Sequence, residues 1–187
     1  MLKNVIFAIF HPSRKTLVTG SAKPLRKESQ QSIIYGNSIM EVQKDFKDLL
    51  VLLNAHRVEY MIVGAYALAF HGAPRYTGDM DIYVRPNPSN AQRTMSALND
   101  FGFGSAELSA TDFEVIDKVV QLGLPPVRVD IVTSITGVSW EEAASGRIAG
   151  KYGDVFVYYI GRQQFISNKR ALGRKRDLAD LEALGEE

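Results

Sequence analysis

The sequence predicts a layered α/β or α+β domain that ends in helices, and three observations carry that expectation. Short apolar runs rich in β-branched residues recur near 59–63, 80–84 and 127–133, each bounded by Gly, Pro or Asp. Between them lie stretches with helical spacing or helix-forming composition, near 40–56, 65–70 and 89–101. The last quarter reads as two helices, near 162–171 and 174–185. Strands alternating with helices pack as layers around one core.

Taken in order, residues 1–39 stand apart. They carry Lys3, Arg14, Lys15, Lys23, Arg26 and Lys27 against the single acid Glu28, and they lack sustained periodicity. They are expected to be a basic extension, disordered or lying ahead of a natural start at Met40, with the folded domain over 40–187. From Met40 onward Val42, Phe46, Leu49, Leu50 and Leu53 mark one face of a helix over 40–56. A strand follows at 59–63, then a glycine turn at Gly64 and a short helix over 65–70, broken by His71-Gly-Ala-Pro74. Residues 80–84 form the next strand. Pro86 and Pro88 punctuate a loop, after which Ser89 or Asn90 caps a helix through about Phe101. The stretch after Gly104 has no clear assignment. Residues 127–133 read as a strand. Ser139 caps a helix with acids in its first turn, and 151–160 reads as a strand or hairpin arm turning at Gly153-Asp154.

Composition excludes more than it proves. The chain has 187 residues, 45% hydrophobic and 23% charged, with a net charge of +1, so one domain with a real core is affordable and bulk charge does not point to nucleic acid. With no cysteine, disulfides, thiolate metal sites and cysteine nucleophiles are ruled out. No apolar run approaches the roughly 20 residues of a membrane span. A cytoplasmic protein without a membrane partner is expected.

The residues that suggest chemistry are carboxylates. Asp79 and Asp81 flank Met80 on a predicted strand, so both point to one face while Met80 and Ile82 point to the core. Asp130 sits between Val129 and Ile131 on another predicted strand. If that strand lies beside the first, all three carboxylates converge. Such a set suits Mg²⁺, which takes oxygen ligands and keeps water or phosphate in its shell. Two ions about 3.5–4 Å apart serve phosphoryl or nucleotidyl transfer. Acids that merely meet solvent at strand ends are the plain alternative. Gly64, between strand and helix, permits close approach of a phosphate to backbone amides.

Gly64, Asp79-x-Asp81 and Asp130 in this order resemble the polymerase-beta-type nucleotidyltransferase superfamily. The segments VGAYALAFHGAPRYTGDMDIYV, RVDIVTSITGVSWEEA and ISNKRALGRKRDLADLEAL are similar, more narrowly, to small bacterial nucleotidyltransferases related to abortive-infection and toxin–antitoxin toxins. The resemblance spans about 40–185. It implies a mixed sheet flanked by helices and Mg²⁺ dependence. It also implies transfer of a nucleoside monophosphate from an NTP to an acceptor hydroxyl with release of pyrophosphate. Asp79, Asp81 and Asp130 would hold metal and act in catalysis, and Gly64 and Ala65 would contact the nucleotide. Ala65 departs from the Gly or Ser usual at its position: the backbone amide is retained and a hydroxyl contact is lost.

Two further residues have two readings each. Arg75, four residues before Asp79, would neutralise triphosphate charge or pair with nearby acids. Thr77 would donate to a phosphate or close a turn. Lys169, in an Asn-Lys pair, is the expected triphosphate contact, whereas Arg174 and Lys175 read as solvated cations. Arg176, Asp177 and Asp180 would tie the last helices together. His71 reads as structural, and His11 and His56 have no partner at ligand spacing. The acceptor is open between tRNA, a protein and a small molecule. The alternatives to a general transferase are a toxin-type enzyme with a cognate antitoxin, and a nucleotide-binding relative without turnover.

Overall fold

The strand that carries Asp79 and Asp81 lies at the centre of the sheet. The computed structural model describes residues 4–8, 32–35, 38–104, 108–124 and 127–186. A mixed seven-stranded sheet contains, in chain order, β1 (Asn4–Ala8), β4 (Tyr60–Val63), β5 (Asp79–Val84), β6 (Lys118–Leu124), β7 (Val127–Val132), β8 (Ile148–Tyr152) and β9 (Val155–Tyr159), with spatial order β1-β6-β7-β5-β4-β9-β8. A separate hairpin joins β2 (Ser32–Tyr35) to β3 (Ser38–Glu41). The expectation that residues 1–39 are an extension falls largely on 9–31, outside the described residues. Among the described residues of 1–39, β1 pairs in parallel with β6 at the sheet edge.

β5 is flanked by β4, antiparallel, and by β7, parallel. A central strand is buried on both faces except where it meets a cleft, and β5 shows this. Met80, Ile82 and Val84 are fully buried on one face. On the other, Tyr83 is buried and the two aspartates remain partly accessible. β7 follows the same rule with Val129 and Ile131 on the core side.

Helix α1 (Lys44–Ala55) buries Phe46, Leu49, Leu50 and Leu53, the spacing read from the sequence. Each such side chain contributes roughly 1.5–3 kcal/mol of burial free energy. Its start differs from expectation: Met40 belongs to β3, and the helix opens at Lys44. Helix α2 (Gly64–Phe70) follows β4 without a gap and is almost wholly buried. Its C-terminus is closed by the His71 backbone N–H, bonded to the Ala67 carbonyl at 3.0 Å, while the ring Nε2 lies 2.8 Å from the Ile160 carbonyl oxygen and burial lowers the His71 pKa, a structural role.

Helix α3 (Pro88–Leu98) is capped by Asn87 rather than by Ser89 or Asn90. Asn87 accepts a hydrogen bond from the Asn90 amide at 2.8 Å, with Pro88 in the first turn, where its missing N–H does no harm. Asn90 is instead buried, and its side chain bonds the backbone of Glu59 and Arg85. The helix ends in a widened turn over Asn99–Phe103 that needs Gly102 at φ 114°. Then come α4 (Thr111–Glu114) and β6, in the stretch the sequence left unassigned. Helix α5 (Trp140–Gly146) has the expected Ser139 cap, completed by Glu142 reaching back to the Ser139 amide. Trp140 packs edge-on against Tyr83. The β8–β9 hairpin and helices α6 (Arg162–Leu172) and α7 (Lys175–Ala183) close the chain. Among the described residues no helix is long and apolar enough to cross a membrane.

Candidate functional site

Parallel pairing of β5 with β7 sets Asp81 directly beside Asp130 and Asp79 directly beside Arg128. Residues two apart on a strand share a face, so all four side chains project together. The convergence expected of Asp79, Asp81 and Asp130 is therefore a matter of register. Arg128 was not anticipated. Its guanidinium lies between two of the acids, ion-paired to Asp79 and bonded to Asp130 at 2.8 and 3.2 Å. Gln121, opposite Asp130 on β6, donates to the same carboxylate at 3.1 Å. Thr77 donates to Asp79 Oδ1 at 2.6 Å and so orients that carboxylate.

Antiparallel pairing of β4 with β5 brings Val63 opposite Asp81, which places Gly64 against the Asp81 side chain. Gly64 has φ +63°, and a Cβ there would overlap the Asp81 carboxylate. Burial, and then repulsion from Asp79 and Asp130, push the Asp81 carboxyl up to about 6; Lys169 and Arg176 oppose the rise. Burial also raises Asp130, partly countered by Gln121 and Arg128.

The facing wall comes from the C-terminal helices. Lys169 is buried, and its ammonium sits 2.9 Å from Asp177 and 2.7 Å from Asp180. Arg75 reaches across from the loop before β5 to grip Asp180 at 2.7 and 3.3 Å. Arg174 bonds Asp177 at 2.5 and 3.2 Å, so its expected role as a freely solvated cation is corrected. Asn168 ties α6 to the Thr136 carbonyl at 2.8 Å. Burial pushes the Asp177 carboxyl up, but hydrogen bonds from Arg174 and Lys169 outweigh it and hold it down at about 2.

These walls enclose a cleft of about 290 Å³. Gly64, Ala65, Arg75, Thr77, Asp79, Asp81 and Lys169, all singled out in the sequence, line it, together with Arg174 and Arg176. Asp130 stands one strand further along, beside Asp81. Sequence reasoning missed Arg128 and Gln121; Asp177 and Asp180, expected to tie the last helices together, do so through Lys169 of α6, and Arg75 is a further partner of Asp180. For Arg128 a signal existed: it lies two residues before Asp130 on the same strand, hence on its face.

Three carboxylates on one face form an all-oxygen donor set, and the repulsion that Asp79 and Asp130 add to the burial of Asp81 is what a cation would relieve. That chemistry fits a divalent ion such as Mg²⁺. Among the described residues no three such side chains stand ready around a metal ion as they are placed, because Arg128 lies between Asp79 and Asp130.

No family model and no curated protein matches the chain. Among solved structures it is similar to a candidate nucleotidyltransferase from Thermotoga maritima, with TM-score 0.50 and 14% sequence identity, covering 73% of this chain and 88% of that one. It is also similar to the lincosamide antibiotic adenylyltransferase LnuA, solved with lincomycin bound, with TM-score 0.51 and 15% identity, covering 76% of this chain and 96% of that one. The chain has the nucleotidyltransferase fold, an α/β architecture built on a mixed sheet.

Proposed function

We propose that this protein is a nucleotidyltransferase that moves a nucleoside monophosphate from an NTP to an acceptor hydroxyl. The observation that carries the reading is the register of β5 and β7, which sets Asp81 beside Asp130 with Asp79 on the same face and Gly64 against Asp81. The acceptor oxygen forms a bond to the α-phosphorus, the α–β phosphoanhydride bond breaks, and pyrophosphate leaves. Asp130, its carboxyl raised by burial, accepts the hydroxyl proton. Thr77 keeps Asp79 in a fixed orientation. Gly64 and the Ala65 amide line the side where the triphosphate lies, and Arg75, Lys169 and Arg176 supply positive charge along the cleft. Lys169 does so while bonded to Asp177 and Asp180, which hold its ammonium in place. A divalent ion such as Mg²⁺, held by Asp79, Asp81 and Asp130, would supply charge neutralisation for the phosphates.

A small-molecule acceptor is the reading we favour. A second cavity of about 720 Å³ shares Ser134, Ile135 and Thr136 with the cleft, and its walls mix Tyr83, Trp140, Arg85 and Glu141. That size suits a ligand of drug-like dimensions. LnuA acts on a lincosamide antibiotic, a small molecule. Transfer to tRNA or a protein by a toxin-type enzyme, restrained by an antitoxin in the cytoplasm, is the second reading; the exposed cations Arg174 and Arg176 in the cleft lining favour it.

The test is incubation of the full chain with each α-labelled NTP, Mg²⁺, and in parallel total RNA, cell protein or a panel of hydroxylated small molecules. Label should move to one acceptor class and pyrophosphate should appear. If no acceptor gains label and no pyrophosphate is released under any combination, the transferase reading fails.

A further inference from the structure

Arg128 occupies the ground between Asp79 and Asp130. It bonds Asp130 through two nitrogens, at 2.8 and 3.2 Å, and the second of these also meets Asp79. The pairing follows from the backbone. Arg128 is the register neighbour of Asp79 and lies two residues before Asp130, so its side chain has to share their face. Asp81 faces Gly64 and the cleft instead.

Charge makes the arrangement consequential. Three carboxylates and one guanidinium leave two formal negative charges, which one divalent ion balances. A second divalent ion would need the same oxygens of Asp79 and Asp130. A guanidinium stays protonated at any working pH, so it cannot yield by losing its charge and could yield only by moving. Moving would break a forked contact to one carboxylate and an ion pair to another, and charge-assisted bonds of this kind are among the stronger ones.

We infer that Arg128 takes the place of one of the two divalent ions such a carboxylate triad would otherwise bind, so that the site loads a single ion on the Asp81 side. The inference rests on the metal-dependent reading above, and the experiment separates the two. Mn²⁺ is titrated into the full chain and counted by electron paramagnetic resonance. The wild type should bind one ion per chain, and Arg128→Gln, which keeps a polar side chain but no charge, should bind two. Arg128→Lys keeps the charge and should bind one. Circular dichroism checks that each variant folds, and the wild-type count stands by itself if Arg128→Gln does not. Two ions in the wild type, or one in folded Arg128→Gln, would overturn the inference and leave the metal reading intact. No bound Mn²⁺ in the wild type, or binding unchanged by Asp81→Asn, would overturn both.

Discussion

A Cβ atom on Gly64 would lie 2.8 Å from Cγ of Asp81 and closer still to one of its carboxylate oxygens. Two elements meet here at van der Waals limit, the start of α2 and the strand β5. Gly64 is needed for this approach and again for its φ of +63°, which side-chain-bearing residues rarely adopt.

Gly64→Ala should therefore act on both stability and function. A non-glycine residue at this φ costs on the order of 1–3 kcal/mol, and the methyl group would drive the Asp81 carboxylate out of position. Urea unfolding should show a loss in that range, and label transfer should fall with it. An unchanged midpoint would mean that Asp81 turns aside freely and that the contact is not a constraint.

Asp79→Ala and Asp81→Ala should leave the fold intact and reduce transfer by about a hundredfold or more, the scale seen when a group serving the transition state is removed. Both acids are partly accessible, so neither removal opens a large core cavity. Turnover near wild type in either variant would reject the site assignment.

Lys169→Met removes the shared partner of two buried aspartates, Asp177 and Asp180. Breaking a buried pair from one side is expected to lower stability by about 3–5 kcal/mol. Arg174 and Arg75 still contact the acids, which places the expected value at the lower end. Chemical denaturation measures it. A change under about 0.5 kcal/mol, the scale of an ordinary surface substitution, would show that the network does not stabilise the fold.

Acid should weaken the same network. The Asp177 carboxyl lies at about 2 in the folded chain and near 3.8 without its surroundings. A depressed carboxyl stabilises the fold above its unfolded pKa, and that contribution fades as pH falls from about 4 toward about 2. By linkage it amounts to about 2 kcal/mol at neutral pH. Stability of the wild type followed from pH 5 to pH 2 should drop more steeply than that of Asp177→Asn. Parallel curves would contradict the assignment.

Much of the fold was legible because local patterns are strong where one face is buried. The 46, 49, 50, 53 spacing of α1, the Ser139 cap of α5 and the Gly153-Asp154 turn of the β8–β9 hairpin all follow from residues close in the chain. The errors are local too. Met40 reads as helical by periodicity yet pairs in β3, because a strand partner at Ile33 outweighs the pattern. Asn87 takes the cap expected of Ser89 or Asn90 because Pro88 sets the first turn behind it. β6 escaped notice because adjacent Val119 and Val120 blur the alternation that buries Val120 and Leu122.

The candidate site divides along the same line. By itself the sequence determined that Asp79 and Asp81 share a face, that a glycine follows β4, and that Asp130 sits on a strand of its own. Those facts depend on the two-residue repeat of a strand and on turn chemistry, which act over a few residues. Only the tertiary structure decided that β7 pairs in parallel with β5 in the register that sets Asp130 beside Asp81. It alone brought Arg128 to Asp79 across 49 residues and Arg75 to Asp180 across 105. Strand order and ion-pair choice are settled by which surfaces pack together. A charged side chain's partner is therefore not written in its neighbours along the chain.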